Sequence, residues 1–190
     1  MTRFKDKYRI ETTRLPGWDY TSAGWYFVTI CTRDRQMFFG HIENGEMHLS
    51  PIGEIAAQFW CEIPQHTAGS VTLDAWVVMP NHVHGIIVIH DTPMVETLQC
   101  NVSTTTTATT NNPMSAISPR AGSLGAIIRS YKSAVTRWCR QNGHPEFGWQ
   151  SRFYDHIIRN EKALNNIRRY ITENPLRWQE DQNNPENVWI

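Results

Sequence analysis

The sequence predicts an antiparallel α+β sandwich. Strand-like and helix-like segments interleave, the close pair of strands is joined by the tight turn Met79-Pro80-Asn81, and each amphipathic segment has one apolar stripe to lay on a sheet. Trp25-Tyr-Phe-Val-Thr-Ile-Cys31 follows a glycine and is rich in β-branched and aromatic residues, which suit a pleated, half-buried surface, so it reads as the first strand. Residues 45–49 form a short second one. In 51–60, Ile52, Ile55, Ala56, Phe59 and Trp60 recur at helical spacing, with Ser50 placed as N-cap and Pro51 at the first helical position, where no N–H is needed. Pro64 closes that helix. Residues 71–78 and 83–89 read as the hairpin-linked strands. Ser123 caps a helix running to about Gln141, with an apolar stripe of Leu124, Ile127, Ile128, Tyr131, Val135 and Trp138, and Asn142-Gly143 ends it. A last helix spans roughly 161–173, turns Leu164, Ile167 and Ile171 to the core, and stops at Asn174-Pro175.

A chain of 190 residues, 40% hydrophobic and with eight Trp, suits one compact domain over 1–190. Within it, 91–119 loses apolar periodicity and becomes rich in Thr, Asn, Ser and Pro. Such a composition buries too little surface to offset chain entropy, so a flexible insertion is expected there. No stretch approaches the roughly 20 apolar residues of a membrane span. The polar start Met1-Thr-Arg-Phe-Lys-Asp-Lys7 lacks the apolar core of a secretory signal, and a cytoplasmic location is expected. Cys31, Cys61, Cys100 and Cys139 are scattered, which gives neither a disulfide framework nor a zinc knuckle.

Net charge is zero, yet the charges are segregated. Between Glu96 and Glu146 there is no acidic residue, whereas Arg120, Arg129, Lys132, Arg137 and Arg140 all fall there, and Arg3, Lys5, Lys7, Arg9 and Arg14 crowd the amino-terminal stretch. A local basic surface binds phosphates whatever the overall balance. An ordinary solvated helix face has the same pattern.

The most informative feature is His82-Val83-His84 at the front of the apolar run 85–89. On a strand, side chains alternate faces, so the two imidazoles share one face while Val83 turns into the core. That is metal-ligand geometry, although buried histidines satisfied by hydrogen bonds share the spacing. On the last helix Tyr170 and Asn174 are four apart and project from one side. If that face packs over the histidines, Asn174 offers an amide oxygen as third ligand and the Tyr170 hydroxyl reaches a metal-held substrate. A His, His, Asn set without thiolate or carboxylate suits Mg2+ or Mn2+ better than zinc and leaves the cation its full charge to polarise a phosphodiester. A tyrosine hydroxyl is then a reversible nucleophile. The alternative, in which Tyr170 anchors a helix and Asn174 caps it, stays open on spacing alone.

Trp76-Val-Val-Met-Pro-Asn-His-Val-His84, then Trp149-Gln150 with Phe153-Tyr-Asp-His-Ile-Ile-Arg159, then Arg169-Tyr-Ile-Thr-Glu-Asn-Pro175, together and in this order, resemble the REP-associated tyrosine transposases, the single-tyrosine branch of the HUH transposases. The resemblance spans roughly 20–178. It implies a ferredoxin-like antiparallel sheet with packed helices, His82 and His84 as metal ligands, Tyr170 as nucleophile, and Asn174 at the third-ligand position, a glutamine in related insertion-sequence transposases. It implies action on single-stranded DNA beside hairpins such as repetitive extragenic palindromes, through a 5′-phosphotyrosine. Arg129, Lys132, Arg137 and Arg140 are candidates for backbone contacts, with Arg14 in a candidate amino-terminal arm, 14–20. His156 is expected to support the site from below, and Trp149 and Trp178 to serve the core. A homodimer is as compatible with the resemblance as a monomer. Two other functions compete: a hairpin-DNA-binding protein without chemistry, and a zinc hydrolase using His82, His84 and His156.

Overall fold

The computed structural model describes residues 3–4, 7–8, 14–91 and 119–187. Two short strands, β1 (Arg3–Phe4) and β2 (Lys7–Tyr8), pair with each other. Then come β3 (Gly24–Cys31), β4 (Gly40–Glu43), β5 (Glu46–Leu49), α1 (Pro51–Cys61), β6 (Val71–Met79), β7 (His82–Ile89), α2 (Leu124–Gln141), β8 (Tyr154–Ile158) and α3 (Glu161–Glu173). The main sheet has the order β6-β7-β3-β8 with every neighbouring pair antiparallel. Strands β3 and β6 therefore run parallel with β7 inserted between them, the split β-α-β arrangement of a ferredoxin-like sheet. The expected α+β class and sheet are present. All but residues 91 and 119 of the expected insertion lie outside the described residues.

Helices α1 and α2 cover one face, burying Tyr26, Val28 and Ile30 of β3 and Val83, Ile87 and Ile89 of β7 with Trp60, Ile128 and Val135. Helix α3 covers the other through Ile171, against Phe27, Ile86 and Val88. Every residue of β7 is thus buried, and its run is continuously apolar after the histidines because both faces are roofed. The helix starts follow local chemistry. Ser50 Oγ accepts from Gly53 N at 3.1 Å, Ser123 Oγ from Ala126 N at 3.3 Å, and Asn160 Oδ1 from Ala163 N at 2.8 Å. Cys139 rather than the half-buried Trp138 completes the buried stripe of α2.

Gly85 makes the histidine strand possible. A Cβ there would sit 2.3 Å from Cζ2 of Trp60, whose indole packs edge-on against Tyr131 at 5.2 Å. Gly85→Ala is expected to destabilise the fold by about 1–3 kcal/mol through overpacking, measured by urea denaturation; wild-type stability would show that α1 shifts freely.

Several details depart from the sequence expectation. Strands β4 and β8 were not anticipated. The latter holds Asp155 and His156 within five residues and is stabilised by pairing with β3, a partner that local pattern does not display. Pro64 does not end α1, which stops at Cys61, but lies in the 3-10 turn Ile63–Thr67. Asn174 remains right-handed helical (φ −59, ψ −42) and leads into a 3-10 helix, Pro175–Glu180, so the chain turns back under the site instead of leaving it. Trp149 and Trp178 pack inward as expected. Among the described residues no helix is long and apolar enough to cross a membrane, and Cys31, Cys61 and Cys139 are free thiols.

Candidate active site

At the start of β7, His82 stands opposite Cys31 and His84 opposite Thr29 in the β3 register, both on the α3 face. Their Nε2 atoms lie 2.9 Å apart, at 0% and 2% exposure. Each outer nitrogen has its own partner: His82 Nδ1 lies 2.8 Å from Asn81 Oδ1, and His84 Nδ1 lies 2.9 Å from Thr29 Oγ1. The Asn81 amide is oriented because its Nδ2 donates to the carbonyls of Arg35 (3.0 Å) and Asn183 (2.7 Å). Its oxygen can only accept, so His82 carries its proton on Nδ1 and aims the Nε2 lone pair inward. Burial drives the His82 pKa down to about 3. Burial, then the neighbouring His82, drives His84 well below its usual value, with Asp181 opposing. Both imidazoles are therefore neutral near pH 7, the form in which they ligate metals.

Tyr170 and Asn174 arrive from α3 as their spacing suggested. The Tyr170 hydroxyl lies 3.2 Å from His84 Nε2, with 41% of the residue still exposed and its ring edge-on to Phe27 at 6.1 Å. Burial and then the Asp181 charge raise the phenol's pKa, while a hydrogen bond from the Asn174 side chain pulls it down. Asn174 is 2% exposed; its Nδ2 donates to Asp181 Oδ2 at 3.1 Å, and its Oδ1 is buried with no hydrogen-bond partner. A buried unpaired carbonyl costs about 1–3 kcal/mol, and a cation would satisfy it.

Asp181 is a buried carboxylate beside this set, which the sequence reading did not include. It follows the 3-10 helix Pro175–Glu180, is fixed by Asn183 N donating to Oδ1 at 2.6 Å, and holds Oδ2 4.0 Å from His82 Nε2. One ligand atom each from His82, His84 and Asp181 fit within 4.8 Å of one another. Nitrogen and oxygen donors, one of them a carboxylate, converge at a buried site beside an orphaned amide oxygen, and this donor set fits a divalent cation. His156 is not part of it. It is exposed on β8, opposite Phe27 in the register, so the trio His82, His84 and His156 does not form and the expected supporting role is not seen. Asn81, Thr29 and Asp181 were missed as site residues. Pro80-Asn81-His82 signalled the first; the other two needed the fold.

Arg14, Arg129, Lys132, Arg137 and Arg140 all line one cleft of about 650 Å³ against α2. Among the described residues no acidic side chain lines it. Lys132 is partly committed, since its ammonium donates to the carbonyls of Gln150 and Arg152 and burial lowers its pKa to about 8. The Arg14 guanidinium sits over the rings of Tyr20 (5.4 Å) and Phe153 (5.1 Å), with Asp155 at 3.9 Å. A second cleft, of about 1080 Å³, is lined by Thr29, Arg33, Arg35, Arg152, Tyr154 and Asn183 among others and adjoins the histidines through Thr29. Gln150, Ser151 and Phe153 line both, so the two clefts meet across that segment.

No protein-family model matches the chain. An uncharacterized protein of Haemophilus influenzae is 39% identical over 171 residues, covering 89% of each chain. Among solved structures, a REP-associated tyrosine transposase bound to a REP hairpin superposes with a TM-score of 0.53 at 20% identity, over 90% of this chain and 73% of that one. A protein of Deinococcus radiodurans assigned as a transposase gives a TM-score of 0.39 at 16% identity, over 84% and 95%, a likeness too loose to bear on the site.

Proposed function

We propose, for a chain that belongs to one family with the Haemophilus influenzae protein and has the fold of a REP-associated tyrosine transposase, that it is a metal-dependent nuclease and strand transferase acting on single-stranded DNA beside hairpins. The observation that carries this reading is the Tyr170 hydroxyl 3.2 Å from one of two buried imidazoles whose Nε2 atoms converge beside the orphaned Asn174 oxygen. His82, His84, Asp181 and Asn174 would hold the ion, for which Mg2+ or Mn2+ suits the hard oxygen donors. When bound, a divalent cation polarises the scissile phosphodiester and favours the phenolate.

The rest is done by this chain. Tyr170 Oη forms a bond to phosphorus as the bond from phosphorus to the 3′ oxygen breaks; the phenol gives up its proton and the departing 3′ oxygen gains one. Because a phenol is also a fair leaving group, the same 3′ hydroxyl can attack the linkage and restore the strand. Asn81 and Thr29 keep the imidazoles in register, and Phe27 holds the phenol ring by its edge. The cleft holding Arg129, Arg137 and Arg140 suits the hairpin backbone, and the cleft beside Thr29 suits the unpaired strand, with the half-exposed Tyr154 as a stacking surface.

The test uses a single strand carrying a palindromic hairpin, labelled at its 3′ end because the downstream 5′ phosphate stays on the protein. Incubation with Mn2+ is expected to yield a covalent adduct that survives denaturation. Hairpin binding without adduct would support the non-catalytic reading, and zinc-dependent cleavage without adduct a hydrolase. Arg137→Ala is expected to weaken hairpin binding and to flatten the slope of log affinity against log salt by about one unit, measured between 50 and 200 mM salt. An unchanged slope removes Arg137 from the footprint.

A further inference from the structure

Resting on that reading, we infer that the Asp74–Arg168 pair sets the roll of α3 and so positions the Tyr170 hydroxyl over His84 of its own chain. Arg168 grips Asp74 with two parallel bonds, Nε to Oδ1 at 2.8 Å and Nη2 to Oδ2 at 2.7 Å, and its guanidinium lies over the Trp25 ring at 5.7 Å. Asp74 is aimed at the helix by an irregularity in β6: the register with β7 shifts between Leu73 and Trp76, and such bulges redirect side chains next to functional sites. The fork geometry fixes direction as well as distance.

Hydrophobic packing alone does not hold α3 in one rotation. The tyrosine helix buries only Ile171, with Ala163, Leu164 and Ile167 partly covered, whereas α2 buries seven residues. At about 100° per residue, Ile167 and Ile171 mark the centre of the contact stripe, Arg168 lies on one flank and Tyr170 on the other. Fixing one flank therefore fixes the other. A roll of about 10° moves a group about 6 Å from the axis by about 1 Å, and a misplacement of that size costs on the order of 100-fold in rate. Asp74 and Arg168 are positioning residues, since neither touches the reacting atoms.

The test is single-turnover cleavage of the hairpin strand by full-length wild type, Asp74→Ala, the isosteric Asp74→Asn, Arg168→Ala, and the exchanged pair Asp74→Arg with Arg168→Asp. Cleavage is expected to fall about 10- to 100-fold in the single variants with hairpin affinity within about twofold, and to recover at least about tenfold in the exchanged pair. Amide hydrogen exchange of residues 161–173 is expected to quicken in the single variants while that of β7 and α2 stays as in wild type. Wild-type cleavage by the single variants, or loss of affinity in step with rate, overturns the assignment. If wild type itself forms no adduct, the strand-transfer reading fails separately, and unchanged exchange in Asp74→Asn then overturns the positioning role as well.

Discussion

Tyr170→Phe is expected to abolish the protein–DNA adduct completely while leaving hairpin affinity within about twofold. The change removes one oxygen, and with it the atom that would bond to phosphorus. The ring remains against Phe27, and the basic cleft on the opposite, α2-covered side of the sheet is untouched. Stability should shift little, because one half-exposed hydrogen bond, Tyr170 Oη to His84 Nε2, contributes on the order of 1 kcal/mol. Tyr170 reaches His84 within one chain, so an equimolar mixture of Tyr170→Phe and His84→Ala proteins is also expected to form no adduct. Adduct from Tyr170→Phe alone would remove the tyrosine from the chemistry; adduct from the mixture would mean that the tyrosine helix acts on a second copy.

Much of the candidate site's geometry was legible because its parts obey short-range periodicities. Two imidazoles at i and i+2 must share a strand face, and a phenol and an amide at i and i+4 must share a helix face; the structure then lays those two faces together. The helix limits around Ser50, Ser123 and Gln141 were legible for the same reason, since caps and breakers act on their own turn. What was not legible depends on distant partners. Asp181 lies 99 residues beyond His82 and reaches it only because Asn174, followed by a proline, continues into a 3-10 turn that brings the chain back. Strand β8 carries polar residues on a short edge strand and exists by virtue of β3. His156, quoted in the family-like motif, sits on that edge and faces solvent, because motif membership says nothing about which way a side chain points once the strand is placed. The basic residues were legible as a composition, but that Arg14 joins the four from α2 in one cleft is a property of the fold.

His84→Ala should separate binding from chemistry in the opposite sense to Arg137→Ala. If the proposed cation stabilises charge on the scissile phosphate, an effect worth several kcal/mol, removing one of the two converging imidazoles takes away one of its proposed holders, so cleavage is expected to fall by about 1,000-fold or more with hairpin affinity retained. Full cleavage by this variant would show that the imidazole pair is a structural feature of the core. The same substitution has a signature in acid. Both buried imidazoles have folded-state pKa values below the unfolded value of 6.5, so the unfolded chain takes up more protons as the medium acidifies. Their neutral burial therefore favours the fold fully above about pH 6.5, and that advantage is lost as pH falls below it, for His82 down toward 3, at up to about 1.4 kcal/mol per pH unit for each imidazole. Denaturation midpoints between pH 7 and 4.5 should accordingly fall steeply for the metal-free wild type and less steeply for His84→Ala. Added Mn2+ should steepen the wild-type loss, because the cation and the protons compete for the same two nitrogens, and should leave His84→Ala nearly unaffected. Parallel acid profiles for the two proteins would mean that His84 is not the neutral, buried group on which the metal site depends.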